Sequence, residues 1–530
     1  MATGSSVPPI ARDVRFGGGL AGGCQRSARE PPTRAGDAYR TRSLLCSLSR
    51  LHKPYALGGA RRTDRRRPPT ASRCSVAQAP SRLAQARPVP HIVTEIPGPK
   101  ARAHVAYDET WTSPSLPRAY PIVPVRGEGL TVEDIDGNLF LDFAAGIAVT
   151  STGHSHPQVV AAIKEQAADL IHFSASDFYL PIYAELCERL ANLSPIKGGR
   201  ARTYLGNSGA EVVEASIKLA RYATGRQYVV AFLGAFHGRT YGAVSLTGSK
   251  AKYHAHFGPM LPGIYHAPYG TVEGLRWFDE VLFDKLVPAN EVAAIIVEPI
   301  QGEGGYIVPE DGFMPGLREI CDRHGILLIA DEIQSGVGRT GMMWAVDLWD
   351  VKPDILLTAK GIASGMPIAG MVARADLLEK WGTGAHGSTY GGNAVACAAA
   401  LATLDLIEGG LVDNARARGD QAMAGLRSLA GRFPRLVRDV RGRGLMIGIE
   451  FDSAAHAEEV QWACFQRGLL VLECGKSSVR MSPALTVSED EMATALRILG
   501  ESVTEVAARG TALAAEARAA GALHAGEVGG

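Results

Sequence analysis

The chain has 530 residues, 46% of them hydrophobic and 21% charged, enough apolar content for a large core and more than one domain. Its net charge of +1 hides an asymmetry: residues 1–90 hold 17 Lys and Arg against 4 Asp and Glu, leaving 38 basic and 50 acidic residues in the rest. A mildly acidic body offers no basic face for nucleic acid, the apolar runs have strand length rather than the roughly 20 residues of a membrane helix, and eight cysteines without a Cys-x-x-Cys pair indicate neither a disulfide framework nor a zinc site.

Residues 1–90, rich in Arg, Ser, Pro and Gly, are expected to form a disordered basic extension. The cysteine usage suits a reducing, cytoplasmic setting; an Arg-rich, acid-poor leader directing the chain to a mitochondrion is the alternative. Residues 91–156 are expected to begin a small domain, because Leu130, Val132, Leu139 and Leu141 flank Asp136-Gly137, a dipeptide favoured in hairpin turns. His154 and His156, just before Pro157, are expected to be turn and helix-cap residues rather than metal ligands. From 157 to 390 helical periods alternate with apolar strands, the pattern of a large α/β domain whose mostly parallel sheet is flanked by helices. Residues 391–506 should complete the smaller α+β domain, with a helix over 393–406 and an apolar strand over 445–449, and residues 507–530 read as a flexible tail.

Within the large domain, residues 326–330 deliver Asp331, Glu332, Ile333 and Gln334, and Ile355–Thr358 deliver Ala359, Lys360 and Gly361. Open α/β sheets bind ligands at the carboxyl ends of their strands, so a carboxylate and an amine stand where a cofactor belongs. The amine can hold a carbonyl cofactor covalently and the carboxylate can keep a pyridine nitrogen protonated, which points to pyridoxal phosphate. Residues 206–211 precede a helix with Val213, Ile217 and Ala220 on one face, and the small residues and free N–H groups of that helix start suit a phosphate. After the strand Tyr228–Phe232 come Phe236, which can stack on a planar ring, and Arg239, which can grip a carboxylate. Val297 leads into Glu298 and Glu303 on a glycine-rich loop expected to be mobile, and residues 386–393 offer hydroxyls and amides to a phosphate.

Taken in order, the motifs Asn207-Ser208-Gly209-Ala210-Glu211, Phe236-His237-Gly238-Arg239-Thr240, Val297-Glu298-Pro299, Gln301-Gly302-Glu303-Gly304-Gly305, Asp331-Glu332-Ile333-Gln334, Lys360-Gly361 and Gly387-Ser388-Thr389-Tyr390-Gly391-Gly392-Asn393 resemble those of class III, fold-type I pyridoxal-phosphate aminotransferases. The likeness is greatest to the 4-aminobutyrate, ornithine and acetylornithine enzymes. It implies that Lys360 anchors the cofactor and serves as general base, that Asp331 pairs with the pyridine nitrogen, that Gln334 bonds the ring hydroxyl and that Phe236 stacks on the ring. Gly209 and Ala210 would give amides to the phosphate, joined by Thr389 from a second subunit, and Ser208, His237, Glu298, Ile333 and Ser388 fall at further cofactor-contacting positions. The resemblance also implies a homodimer with active sites at the subunit interface.

By the same resemblance, Arg239 grips the carboxylate distal to the reacting amine, while Glu303 neutralises Arg480 until the α-carboxylate of a 2-oxo acid takes that arginine. Two positions depart from relatives. Ala210 stands where many carry Ser or Thr, at a cost of about 1 kcal/mol for a lost hydrogen bond. Ile147 stands where ornithine-selective relatives carry a polar aromatic, which favours 4-aminobutyrate. The expected reaction therefore moves an ω-amino group, from 4-aminobutyrate, to 2-oxoglutarate. Ornithine or acetylornithine as donor, and amino-acid racemisation or epimerisation on the same scaffold, are the alternatives.

Overall fold

The computed structural model describes residues 88–526, so residues 1–87 and 527–530, and with them nearly all of the expected basic extension, lie outside the described part. The described chain opens with the helix Pro99–Trp111 and an antiparallel unit of β1 (Pro124–Glu128), β2 (Thr131–Asp134) and β3 (Leu139–Asp142). β2 and β3 pair with Thr131 opposite Leu141, and the turn between them passes through Gly137 at φ +89°, a conformation glycine adopts without a Cβ penalty. The Asp136-Gly137 signal thus marks a real hairpin.

The central sheet has seven strands: β4 (Ala201–Gly206), β5 (Tyr228–Phe232), β6 (Ile264–Ala267), β7 (Val292–Val297), β8 (Leu327–Asp331), β9 (Ile355–Thr358) and β10 (Ala369–Arg374). Their spatial order is β4-β10-β9-β8-β7-β5-β6. The run from β9 to β6 is parallel, and β10 is antiparallel to both neighbours, β4 and β9. Side chains alternate across a strand, and here the alternation divides two cores. Val230, Phe232, Ile295, Val297, Leu328, Ala330 and Leu356 pack on one face, while Val229, Ala231, Ala294, Ile296, Ile329 and Leu357 pack on the other with the helix Gly209–Thr224. Burial on both faces is why these strands read as unbroken apolar runs.

The C-terminal part adds an antiparallel sheet in which β11 (Val437–Arg443), β12 (Met446–Phe451), β15 (Ser478–Met481) and β14 (Leu472–Cys474) are neighbours in that order. β13 (Leu469–Leu470) instead pairs with β3 in parallel, joining this part of the chain to the N-terminal strands. The last helix, Glu489–Gly526, extends well past residue 506, where the sequence suggested a flexible tail; its run of Ala, Glu and Arg consists of strong helix formers. One helical run, Ala394–Arg432, is long and apolar enough by composition to cross a membrane, but Ala394–Leu406 is sunk in the core against the helix Pro157–Asp169, and Gly410 at φ +132° kinks the run.

Candidate active site

The carboxyl ends of β5, β7, β8 and β9 face one edge of the sheet and open into a cavity of about 320 Å³, within the range that small-molecule ligands fill. Ser208, Gly209 and Ala210 line it from the start of a helix, and Phe236 and His237 from the loop after β5. Glu298 follows β7, Asp331, Ile333 and Gln334 end and follow β8, and Lys360 follows β9. Parallel strands necessarily bring their carboxyl ends together, which is how residues as distant in the chain as Ser208 and Lys360 share one site.

Asp331 is 4% exposed. Its Oδ2 lies 2.7 Å from Nδ1 of the buried His237, and its Oδ1 accepts the Ile333 N–H at 3.1 Å, so the carboxylate is held from behind and from the side. Burial opposes a charged imidazole, yet the hydrogen bond and charge of Asp331, with Glu298, leave the His237 pKa raised. Glu298 accepts the N–H of Phe236 at 3.0 Å and that of Gly302 at 3.1 Å, and burial, opposed by His237, pushes its pKa up to about 7. Lys360 is the N-terminal residue of a short turn and has φ +40°, a strained conformation for a residue with a side chain. Its amine has a lowered pKa because burial and the Arg480 charge outweigh Glu303 and Asp331. A cluster from another part of the chain supports that turn: Ser151 donates to the Gly361 carbonyl at 2.6 Å and Thr152 to the Ser364 hydroxyl at 2.8 Å.

Arg480 on β15 is buried, and its Nη1 meets Glu303 Oε1 at 2.5 Å. Burial raises the Glu303 pKa, but Arg480, with Lys360 and Lys250, lowers it overall, so the pair is ionised. The glycine-rich loop carrying Glu303, expected to be mobile, is tied down instead. Arg441 donates twice to the Gly305 carbonyl, at 2.8 and 3.0 Å, and the Gly475 N–H bonds the Glu303 carbonyl at 2.9 Å. A Cβ on Gly475 would come within 2.7 Å of the Gly304 carbonyl oxygen, so close approach of two backbones is what the glycines permit.

The remaining expected residues lie outside the cavity lining of this chain. Arg239 follows the lining residue Gly238 and is exposed. Ser388 bonds Asn207 Nδ2 at 3.2 Å behind the helix start, and Thr389 beside it is exposed. Ile147 is 40% exposed on a left-handed turn, with Ala145, Gly146, Ile147 and Ala148 all at φ between +47° and +67°; Asp142 holds that turn through the N–H groups of Ala144 and Ala145. His154 bonds Asp142 at 2.8 Å and His156 caps the helix Pro157–Asp169. Asn207 of the phosphate motif lines the cavity as well, together with Val149 and residues 365–368, which the sequence did not single out; the small-residue run after Lys360 was the only signal for the latter.

Comparison with known proteins decides the family. Residues 114–503 match the family described as Aminotransferase class-III. The chain is 39% identical over 437 residues to a 4-aminobutyrate aminotransferase of Mycobacterium bovis, covering 77% of this chain and 96% of that one. It is 42% identical over 385 residues to an acetylornithine aminotransferase of Methanopyrus kandleri, covering 72% and 95%. The crystal structure of ornithine aminotransferase from Toxoplasma gondii superposes with a TM-score of 0.71 at 33% identity, covering 77% of this chain and 96% of that one. This chain belongs to the class III aminotransferases.

Enzymes of this class depend on pyridoxal phosphate and transfer an amino group between an amine donor and a 2-oxo acid. The cavity of this aminotransferase fits that cofactor on three counts. The Lys360 amine and the buried Asp331 carboxylate line it. Gln334 Oε1 is buried without a hydrogen-bond partner and can accept from a ring hydroxyl. The helix start at Gly209 is packed so closely on Ile333 that a Cβ would lie 2.9 Å from its Cδ1, leaving free N–H groups at the cavity wall.

Proposed function

We propose that this aminotransferase takes the ω-amino group of 4-aminobutyrate and delivers it to 2-oxoglutarate, yielding succinate semialdehyde and glutamate. The observation that carries this reading is the contrast between the two arginines of the expected site. Arg480 is buried and neutralised by Glu303, whereas Arg239 is exposed and has no carboxylate partner among the described residues. A substrate whose only carboxylate is distal to its amine needs one free arginine, not two. Arg239 takes that distal carboxylate, on 4-aminobutyrate and on 2-oxoglutarate alike. Arg480 is released from Glu303 only when an α-carboxylate arrives, so the same pocket serves both half-reactions.

When bound, pyridoxal phosphate supplies a carbonyl for the amine and a ring that withdraws electrons from the bond being broken. Lys360 would hold it covalently, and its Nζ would take the proton from the amine-bearing carbon of the substrate and return it elsewhere. The lowered pKa of Lys360 favours the neutral amine this requires. Asp331, braced by His237, would pair its carboxylate with the ring nitrogen. The amides at Gly209 and Ala210 would receive the phosphate, and Phe236 would stack on the ring.

The reading includes a homodimer, in which Thr389 of a second copy reaches the phosphate. Exposed Ile171, Phe173, Phe178, Tyr179 and Tyr390 make an apolar surface beside Thr389 that supports it. A cytoplasmic location is supported by the free state of the described cysteines, Cys187, Cys321, Cys397, Cys464 and Cys474. A donor panel tests the substrate, with glutamate formation from 2-oxoglutarate as readout. The proposal expects the highest kcat/KM for 4-aminobutyrate; a higher value for ornithine or acetylornithine overturns it.

A further inference from the structure

Among the cations of the site, Arg239 is held in an unusual way. It has no ion pair with a carboxylate among the described residues; its guanidinium carbon instead lies 4.9 Å from the centroid of the Tyr253 ring. A ring face attracts a guanidinium through its quadrupole without neutralising it, so the charge stays available to an anion. A carboxylate in the same place would have competed with substrate. The ring is fixed independently of the arginine. Its edge meets Phe236 at 5.6 Å between centroids and 70° between planes, and the next residue, His254, bonds the Val244 carbonyl through Nε2 at 2.8 Å. Phe236 lines the cavity, so Tyr253 links the cavity wall to the exposed Arg239. Lys252 lies over the same ring at 5.6 Å, which adds a second uncompensated positive charge there.

We infer that Tyr253 is a positioning residue for substrate specificity, its ring presenting Arg239 unneutralised to the distal carboxylate of the substrate. This rests on the reading of Arg239 as the distal-carboxylate grip. The ring does this, not the hydroxyl, so Tyr253→Phe retains the function and Tyr253→Leu loses it.

The test measures KM and kcat for 4-aminobutyrate and for 2-oxoglutarate in Tyr253→Leu, Tyr253→Phe, Arg239→Gln and the Tyr253→Leu/Arg239→Gln double variant of the cofactor-loaded enzyme. Tyr253→Leu should raise both KM values about two- to fivefold, the span of an exposed cation–ring contact, with kcat and cofactor absorbance unchanged. Tyr253→Phe should match the parent, and Tyr253→Leu should add nothing once Arg239 is gone. Additive effects in the double variant, or a fall in kcat in Tyr253→Leu, would show that the ring only supports Phe236, and a rise in KM shared by Tyr253→Phe would assign the effect to the hydroxyl; either result would overturn the inference. Unchanged KM values in Arg239→Gln would instead refute the reading of Arg239 itself. If Arg239→Gln raises KM while Tyr253→Leu does not, the inference alone fails.

Discussion

Replacing Glu303 with alanine pulls the two proposed half-reactions apart. In the parent the carboxylate sits 2.5 Å from Arg480 Nη1, with side-chain exposures of 18% for Glu303 and 6% for Arg480. Removing one partner of a buried pair costs about 2–5 kcal/mol, and the partial exposure of Glu303 places this case at the lower end. During the 4-aminobutyrate half-reaction nothing replaces the lost carboxylate, so an unpaired guanidinium faces an apolar part of the substrate. About 2 kcal/mol corresponds to a slowing of roughly thirtyfold. In the glutamate half-reaction the α-carboxylate pairs with Arg480 anyway and no longer has to displace Glu303, so that rate should hold or rise. Single-turnover stopped-flow, following cofactor absorbance with each amino donor in turn, reads the two rates separately. Equal slowing with both donors would refute the switch and leave Glu303 as a structural counter-ion.

Three other outcomes follow from the geometry. Lys360→Ala should lose the covalently held cofactor spectrum and at least about 99% of turnover, since a positioned general base contributes about 10²–10⁴-fold; recovery of more than about a hundredth of the parent rate would assign the proton transfer elsewhere. Gly209→Ala forces a Cβ to 2.9 Å from Ile333 Cδ1 and should loosen the helix start, raising the cofactor Kd about tenfold in equilibrium titration while far-ultraviolet circular dichroism stays unchanged. Glu332 is buried, its oxygens held by Ser335 Oγ at 2.6 Å and Val346 N at 2.8 Å, and burial pushes its pKa up to about 7. A carboxyl whose pKa is raised on folding contributes stability that is full below its unfolded value and is lost as pH rises through about 7, up to about 3 kcal/mol here. Glu332→Gln should therefore lose less Tm than the parent between pH 5 and 8; identical pH slopes would mean that Glu332 is ionised throughout.

The strands were the most legible part of the fold because a strand buried on both faces has no polar alternation to blur it. Tyr228–Phe232, Val292–Val297 and Ile355–Thr358 coincide with apolar runs, and the residue types that follow them announce a ligand edge before any neighbour is known. The antiparallel direction of Ala369–Arg374 was not legible, because direction depends on pairing and leaves no mark on composition. Nor was the placement of Leu469–Leu470 beside Leu139–Asp142, a contact made across more than 300 residues by two residues.

At the site, what could be read from residue type was the chemistry, and what could not was the support behind it. A lysine and an aspartate after apolar strands imply a covalent cofactor, but nothing near Asp331 in the chain announces that His237 will brace it from 94 residues away. Ser151 and Thr152 are ordinary turn residues by sequence, yet they anchor the strained turn at Lys360 through Gly361 and Ser364. Glycine misled in one place. In the Glu303 loop its abundance suggested motion, whereas a Cβ on Gly304 would meet the Gly234 carbonyl oxygen at 2.8 Å, one on Gly475 would meet the Gly304 carbonyl oxygen at 2.7 Å, and Arg441 fastens the loop. If the switch operates, it must therefore work by rotating the Glu303 side chain on a fixed backbone rather than by swinging the loop, which is why the charge of that side chain, and not the flexibility around it, is the quantity to perturb.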